Sequence, residues 1–244
     1  MPSQVDFFVS MALGVAPALA LLWLSLRRFD RPKVDFTLFD DRRVFGSLAV
    51  GMIFGVLASV LSLALPRRDF ASSLLVVGGV FLVEELFKVV YLNRKGYRGR
   101  SDTTFYGVAL GAGAASTAAA ATIYWSAEQI LTVPEFLATF AIFSVSLSLV
   151  NVDTGALIGF GAAQGDLWRA LGRAVAVRYA HAAFLFPFLL GVPNPWSAVS
   201  GLTSTGFALV VFLYVYGELL PNSLPEDLRR RARRERRRAQ TAKE

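Results

Sequence analysis

The chain contains no cysteine and only one histidine, His181, among 244 residues. The lack of cysteine excludes disulfides, a thiol nucleophile and thiolate metal ligands, whatever the redox compartment. No internal repeat, metal-binding loop, glycine-rich phosphate loop or dinucleotide fingerprint is present, so neither a solenoid nor a nucleotide-dependent enzyme is indicated. Lys and Arg are also absent before the first apolar run, which Arg27-Arg28 follows. That order is the reverse of a secretory signal peptide, and the run is expected to stay as a helix.

What the sequence does hold is apolar length. Hydrophobic residues make up 55% of it, and a mean hydropathy of +0.50 is too high for an ordinary soluble domain of this size. Runs long enough to cross about 30 Å of hydrocarbon recur near residues 5–26, 44–65, 72–93, 104–125, 135–163, 172–191 and 197–220. The expected fold is an all-α, polytopic membrane bundle of seven helices over 1–222, with a basic tail over 223–244.

Positive charge sets the expected orientation, because Lys and Arg near helix ends are retained on the cytoplasmic side. The first connection carries Arg27, Arg28, Arg31, Lys33, Arg42 and Arg43; the third, Arg94, Lys95, Arg98 and Arg100; the fifth, Arg169 and Arg173. The intervening connections hold only Arg67 and Arg68, with none near Glu128 or from Val192 to Trp196. The N-terminus is therefore expected outside and the C-terminus inside, in what is read as a prokaryotic cytoplasmic membrane.

The third run places Glu84, Glu85 and Lys88 inside an apolar helix. A charge near a bilayer centre costs roughly 3 kcal/mol on insertion scales, so such groups face a protein interior or a watery cavity. Glu84 and Lys88, four apart, share a helix face and are expected to pair, leaving Glu85 over. The fifth run adds Asn151 and Asp153, and the sixth Arg178 and His181. With both glutamates, Asp153, Lys88 and Arg178 ionised, one negative charge is in excess. Glu84 and His181 fall at a similar depth, roughly 12 Å from the cytoplasmic ends of their helices, with Asn151 nearby. Asn151 and Asp153 are about 200° apart and are not expected to face one small cavity.

Other features read as structural. Pro17 lies mid-span in the first run, and small residues from Gly107 to Ala121 make the fourth run the expected central packing helix. Asn194-Pro195-Trp196 reads as a capped, interface-anchored helix start. Ser223 to Glu226 resembles a capping box opening a helix through Arg229 to Arg238, a run that favours anionic lipid headgroups and has no feature specific for nucleic acid.

Glu84-Glu85-Leu86-Phe87-Lys88 resembles the Glu-Glu-x-x-Lys motif of the PrsW family of intramembrane proteases, within the glutamate-dependent superfamily of CAAX prenyl endopeptidases. Ala16-Pro17-Ala18, the helix from Asp102 to Gly113, and His181 are similar to further family positions. Ala118-Ala119 stands where the family has Glu-Asn, and Asn151 where it has histidine. The chain also resembles the seven-helix scaffold subunit of γ-secretase, through Phe7-Phe8, Ala16 to Leu21, Gly107 to Gly113, His181 and Asn194-Pro195-Trp196.

The first resemblance implies peptide-bond hydrolysis in the cytoplasmic half of the bilayer, acting on single-span membrane proteins. Glu84 or Glu85 would be general base, His181 would orient water or protonate the amine, and Asn151 would donate to the oxyanion. Lys88, Asp153 and Arg178 would be structural. A divalent metal such as zinc would have only Glu84, Glu85 and His181 as ligands, where a catalytic site normally takes three with an open position. The second resemblance implies an inactive scaffold whose polar groups fix helix register and present a groove to a membrane partner. Two broken helices in inverted positions, which would mark a transporter, are not seen.

Overall fold

The computed structural model describes residues 4–27, 29, 38–65, 70–126, 134–190, 192 and 195–226. Within these, seven long helices follow one another: α1 Gln4–Arg27, α2 Asp41–Ala64, α3 Phe70–Leu92, α4 Thr103–Trp125, α5 Pro134–Gln164, α6 Leu167–Leu189 and α7 Trp196–Tyr214. The last continues through a π-helical turn, Val215–Leu219, into α8, Leu220–Ser223. Five of the long helices, α1, α2, α4, α5 and the α7 continuation, are long and apolar enough to cross a membrane. The other two, α3 and α6, have 23 residues each and carry Glu84, Glu85 and Lys88, and Arg178 and His181, respectively.

The turns explain where helices stop. Gly99 and Gly165 have φ near +75° and +79°, a backbone state that glycine adopts without a Cβ penalty. Gly99 follows α3, Gly165 ends α5, and the Gly99 amide donates to the Ala162 carbonyl at 3.0 Å, joining both turns at one end of the bundle. The tight turn at Gly165-Asp166 lets α6 begin at Leu167, five positions before the apolar run alone indicates. At α2, the Asp40 carboxylate accepts from the Arg42 amide at 2.9 Å and closes the first turn.

Helix α4 is the centre. It packs on α1, α2 and α5, and its glycines set how closely. A Cβ on Gly111 would fall on the Asn151 carbonyl, one on Gly107 on the Gly155 carbonyl, and one on Gly113 on the Leu48 carbonyl. Backbones meet there with no side chain between them, the close approach that small residues permit between membrane helices. Helix α3 makes the sparsest contacts of the seven, mainly with α5 and α6.

Contacts between termini sort the ends. Phe29, beyond α1, meets Phe105 at the start of α4, and Phe7 meets Tyr124 at its end, so α1 and α4 run antiparallel. Tyr91 of α3 meets Tyr97, which meets Tyr106 near the start of α4. One end thus gathers Arg27, Arg42, Arg43, Arg94, Lys95, Arg98, Arg100, Arg169 and Arg173; among the described residues the opposite end has no Lys or Arg. All four tryptophans are exposed, Trp23 and Trp168 toward the basic end, Trp125 and Trp196 toward the other.

Two local expectations change. Ser223 does not open a helix: it closes α8, its hydroxyl donating to the Leu220 carbonyl at 2.6 Å. Pro195 precedes the first helical residue, Trp196, rather than occupying the first turn. Arg28, Arg31, Lys33, Arg67, Arg68, Glu128, Asn194 and the Arg229 to Arg238 run lie outside the described residues.

Candidate functional site

The seven polar residues singled out in the sequence, Glu84, Glu85, Lys88, Asn151, Asp153, Arg178 and His181, are all buried. They divide into three hydrogen-bonded groups and one isolated side chain. The first group joins α3 to α5. Lys88 donates to Glu85 Oε1 at 2.8 Å, Asn151 Oδ1 at 3.1 Å and Thr154 Oγ1 at 2.7 Å, which uses all three ammonium protons. Thr154 in turn donates to Glu85 Oε1 at 3.1 Å, and Asn151 donates to the Leu147 carbonyl at 3.0 Å.

The second group joins α3 to α6. Arg178 Nη2 forms an ion pair with Glu84 Oε2, and the guanidinium lies 4.1 Å from the centre of the Phe81 ring. A cation over an aromatic face gains from the ring quadrupole, more so when desolvated. Phe81 and Glu84 are three apart on α3, so one face supplies both the anion and the ring.

This partition corrects the expected Glu84 pairing. Lys88 pairs with Glu85, three residues back, and Glu84 pairs with Arg178. Spacings of three and four both bring side chains together on a helix, so the choice is made by what stands opposite: Asn151 and Thr154 draw Lys88 toward α5, while Arg178 on α6 takes Glu84.

The third group holds His181. Its Nε2 lies 2.8 Å from Ser146 Oγ, and Ser146 lies 3.0 Å from Ser204 Oγ, linking α6, α5 and α7. Its hydrogen bond is therefore to Ser146, not to either glutamate. Among the described residues no three His, Asp or Glu side chains come together as a metal-holding group, so Glu84, Glu85 and His181 do not form one ligand set. Asp153 is fully buried, and neither carboxyl oxygen has a hydrogen-bond partner among the described residues. It stands apart from Asn151, in keeping with their angular separation on α5.

Four participants, Thr154, Ser146, Ser204 and Phe81, were not singled out in the sequence. Thr154 and Ser146 are ordinary in membrane helices and carry no charge to draw attention. Thr154 had one signal, its position three residues beyond Asn151 on the same face. Phe81 had none apart from its spacing to Glu84.

A separate cavity of about 370 Å³ opens at the basic end, lined by Leu38, Gly99 to Asp102, Phe105 and Ser223 to Pro225. Beside it, Asp102 accepts from Arg100 Nη2 at 2.6 Å and from the Tyr106 hydroxyl at 2.8 Å, and the Tyr106 oxygen accepts from the Asp40 amide at 3.0 Å. Burial works to raise the Asp102 carboxyl, but the Arg100 and Tyr106 hydrogen bonds outweigh it and hold it below the usual carboxylate range. No known protein family, curated protein or solved structure matches this chain.

Proposed function

We propose that the chain is a seven-helix integral membrane scaffold, with its basic end in the cytoplasm, whose interior charges fix helix register for a single-span membrane partner. One observation carries this reading: both α3 glutamates are buried and held by cations, Glu84 by Arg178 and Glu85 by Lys88. A general base must reach a water and give a lone pair to the proton it removes, whereas one oxygen of each carboxylate is already directed at a fixed cation, Glu85 Oε1 at Lys88 and Glu84 Oε2 at Arg178. The gathering of basic residues at one end supports the orientation, and the exposed tryptophans toward both ends fit two membrane interfaces.

A second reading, intramembrane proteolysis, is favoured by Glu85 Oε2, which has no hydrogen-bond partner among the described residues. In that reading Glu85 takes a proton from water, and Lys88 and Asn151 position it.

The two readings separate in proteoliposomes holding the full chain and a panel of tagged, fluorescent single-span peptides. The scaffold reading expects co-purification of a peptide without cleavage, weakened by His181→Ala. Cleavage that Glu85→Gln abolishes, in a variant that still folds and inserts into the bilayer, would overturn it in favour of proteolysis.

A further inference from the structure

We infer that Asp153 is a proton-binding site, a carboxylic acid that carries its proton inside the helix bundle. The inference starts from charge. Among the described residues, the middle of the bundle holds three acids, Glu84, Glu85 and Asp153, and two cations, Lys88 and Arg178, and each cation is already in contact with a different acid. Asp153 is the remainder. It is fully buried, with both oxygens lacking hydrogen-bond partners among the described residues. An isolated carboxylate in an apolar interior carries a desolvation penalty that protein groups escape by becoming neutral.

Among the described residues no cation is paired with Asp153. Asp153 lies seven residues from Ser146, two helical turns, and so on the same face of α5. Ser146 meets His181 of α6 and Ser204 of α7, which places Asp153 on the side of α5 that α6 and α7 cover. The faces continuing from those contacts carry Ala174 on α6 and Ala208 and Phe212 on α7, all buried and apolar.

The charged and titratable groups on every element packed against α5 are otherwise occupied or distant. From α3, Lys88 has all three protons directed at Glu85, Asn151 and Thr154, and Glu84 and Glu85 are anions. From α6, Arg178 pairs with Glu84 through Nη2 and lies over Phe81, its Nε and Nη1 having no hydrogen-bond partner among the described residues; His181 meets Ser146, Arg169 pairs with Asp166, and Arg173 is exposed. Helices α4 and α7 contain no Asp, Glu, Lys, Arg or His. On α1 these types occur only as Asp6 and Arg27, toward its two ends, and Glu218 of the π turn is exposed. The proton is thus the charge-balancing ligand: carboxylate plus proton gives the neutral acid, and the interior becomes electroneutral with both ion pairs intact.

Infrared spectroscopy of the full chain in lipid bilayers at neutral pH tests this. Carbon-13 labelling of aspartate side chains should shift a carbonyl stretch of a protonated carboxylic acid. Asp153→Asn should remove that band, and Asp153→Glu should make it insensitive to aspartate labelling. If Asp153→Asn does not fold, the labelled unmutated protein with Asp153→Glu still decides. Absence of any label-sensitive carboxylic acid band in the unmutated protein overturns the proposal, as does a band that persists unchanged in both variants. A band that sodium or potassium ions abolish at constant pH also overturns it, in favour of a metal-cation site.

Discussion

Glu84 and Arg178 stand 94 positions apart in sequence and meet as a buried ion pair between α3 and α6. Because both are desolvated, removing one leaves an uncompensated buried charge, whereas removing both with well-packed neutral groups is often neutral or stabilising. Arg178→Met should lower thermal stability in detergent by about 3–5 kcal/mol. The double variant Glu84→Gln with Arg178→Met should recover most of that loss. Equal loss in single and double variants would show that Arg178 matters through its packing on Phe81 instead.

Lys88 differs because three acceptors converge on it. Lys88→Met should cost more than Asn151→Ala, since Glu85 then remains as a buried anion while Thr154 keeps a partner in Glu85. Thermal unfolding of the two variants, with Glu85→Gln added to each, checks this. Adding Glu85→Gln should rescue Lys88→Met and further destabilise Asn151→Ala, because Lys88 then loses the carboxylate it pairs with.

Gly111 tests the spine of the bundle. A methyl group there would collide with the Asn151 backbone carbonyl, which has no flexible end to move aside. Gly111→Ala should destabilise by about 1–3 kcal/mol through overpacking. At Gly46, where an added Cβ meets nothing within 4 Å, the same change should stabilise slightly, because alanine is the better helix former. Matching effects at both sites would refute the close approach of α4 and α5.

Asp102 gives a pH dependence with a definite sign. Its folded-state carboxyl is held below the ordinary carboxylate range, burial being outweighed by the hydrogen bonds from Arg100 and Tyr106. A depressed acid contributes stability that is complete above its unfolded value, about 3.9, and is lost as pH falls through the folded value. Asp102→Asn should therefore lower the melting temperature at pH 7, and the gap to the unmutated protein should narrow below about pH 4. A gap that stays constant across that range would mean that the ionised form is not the one that matters.

Much of the fold was legible because apolar runs and charge clusters are local properties. The long helices follow the seven runs to within a few residues, and the buried polar residues were visible as charges out of place. Their partners were not visible. Lys88 had two acids within reach on its own helix, and only the arrival of Asn151, Thr154 and Arg178 from elsewhere decides between them. His181 was grouped with the glutamates by depth and by resemblance, and neither fixes the direction of a side chain. Ser146, one turn and a face away from Asn151, takes it instead.

The close backbone contacts of α4 with α2 and α5 have a mechanical consequence. Interlocked glycine surfaces resist sliding, since displacement by even part of a turn drives carbonyls into Cβ atoms. Helix α3 has the sparsest packing and is held instead by two charge pairs and the parallel stack of Phe87 on Phe54 at 3.8 Å. A ratchet of α3 by one helical turn, about 5.4 Å, would break both pairs together. The bundle is thus a stiff frame with one latched helix, and its latch opens as a unit or not at all.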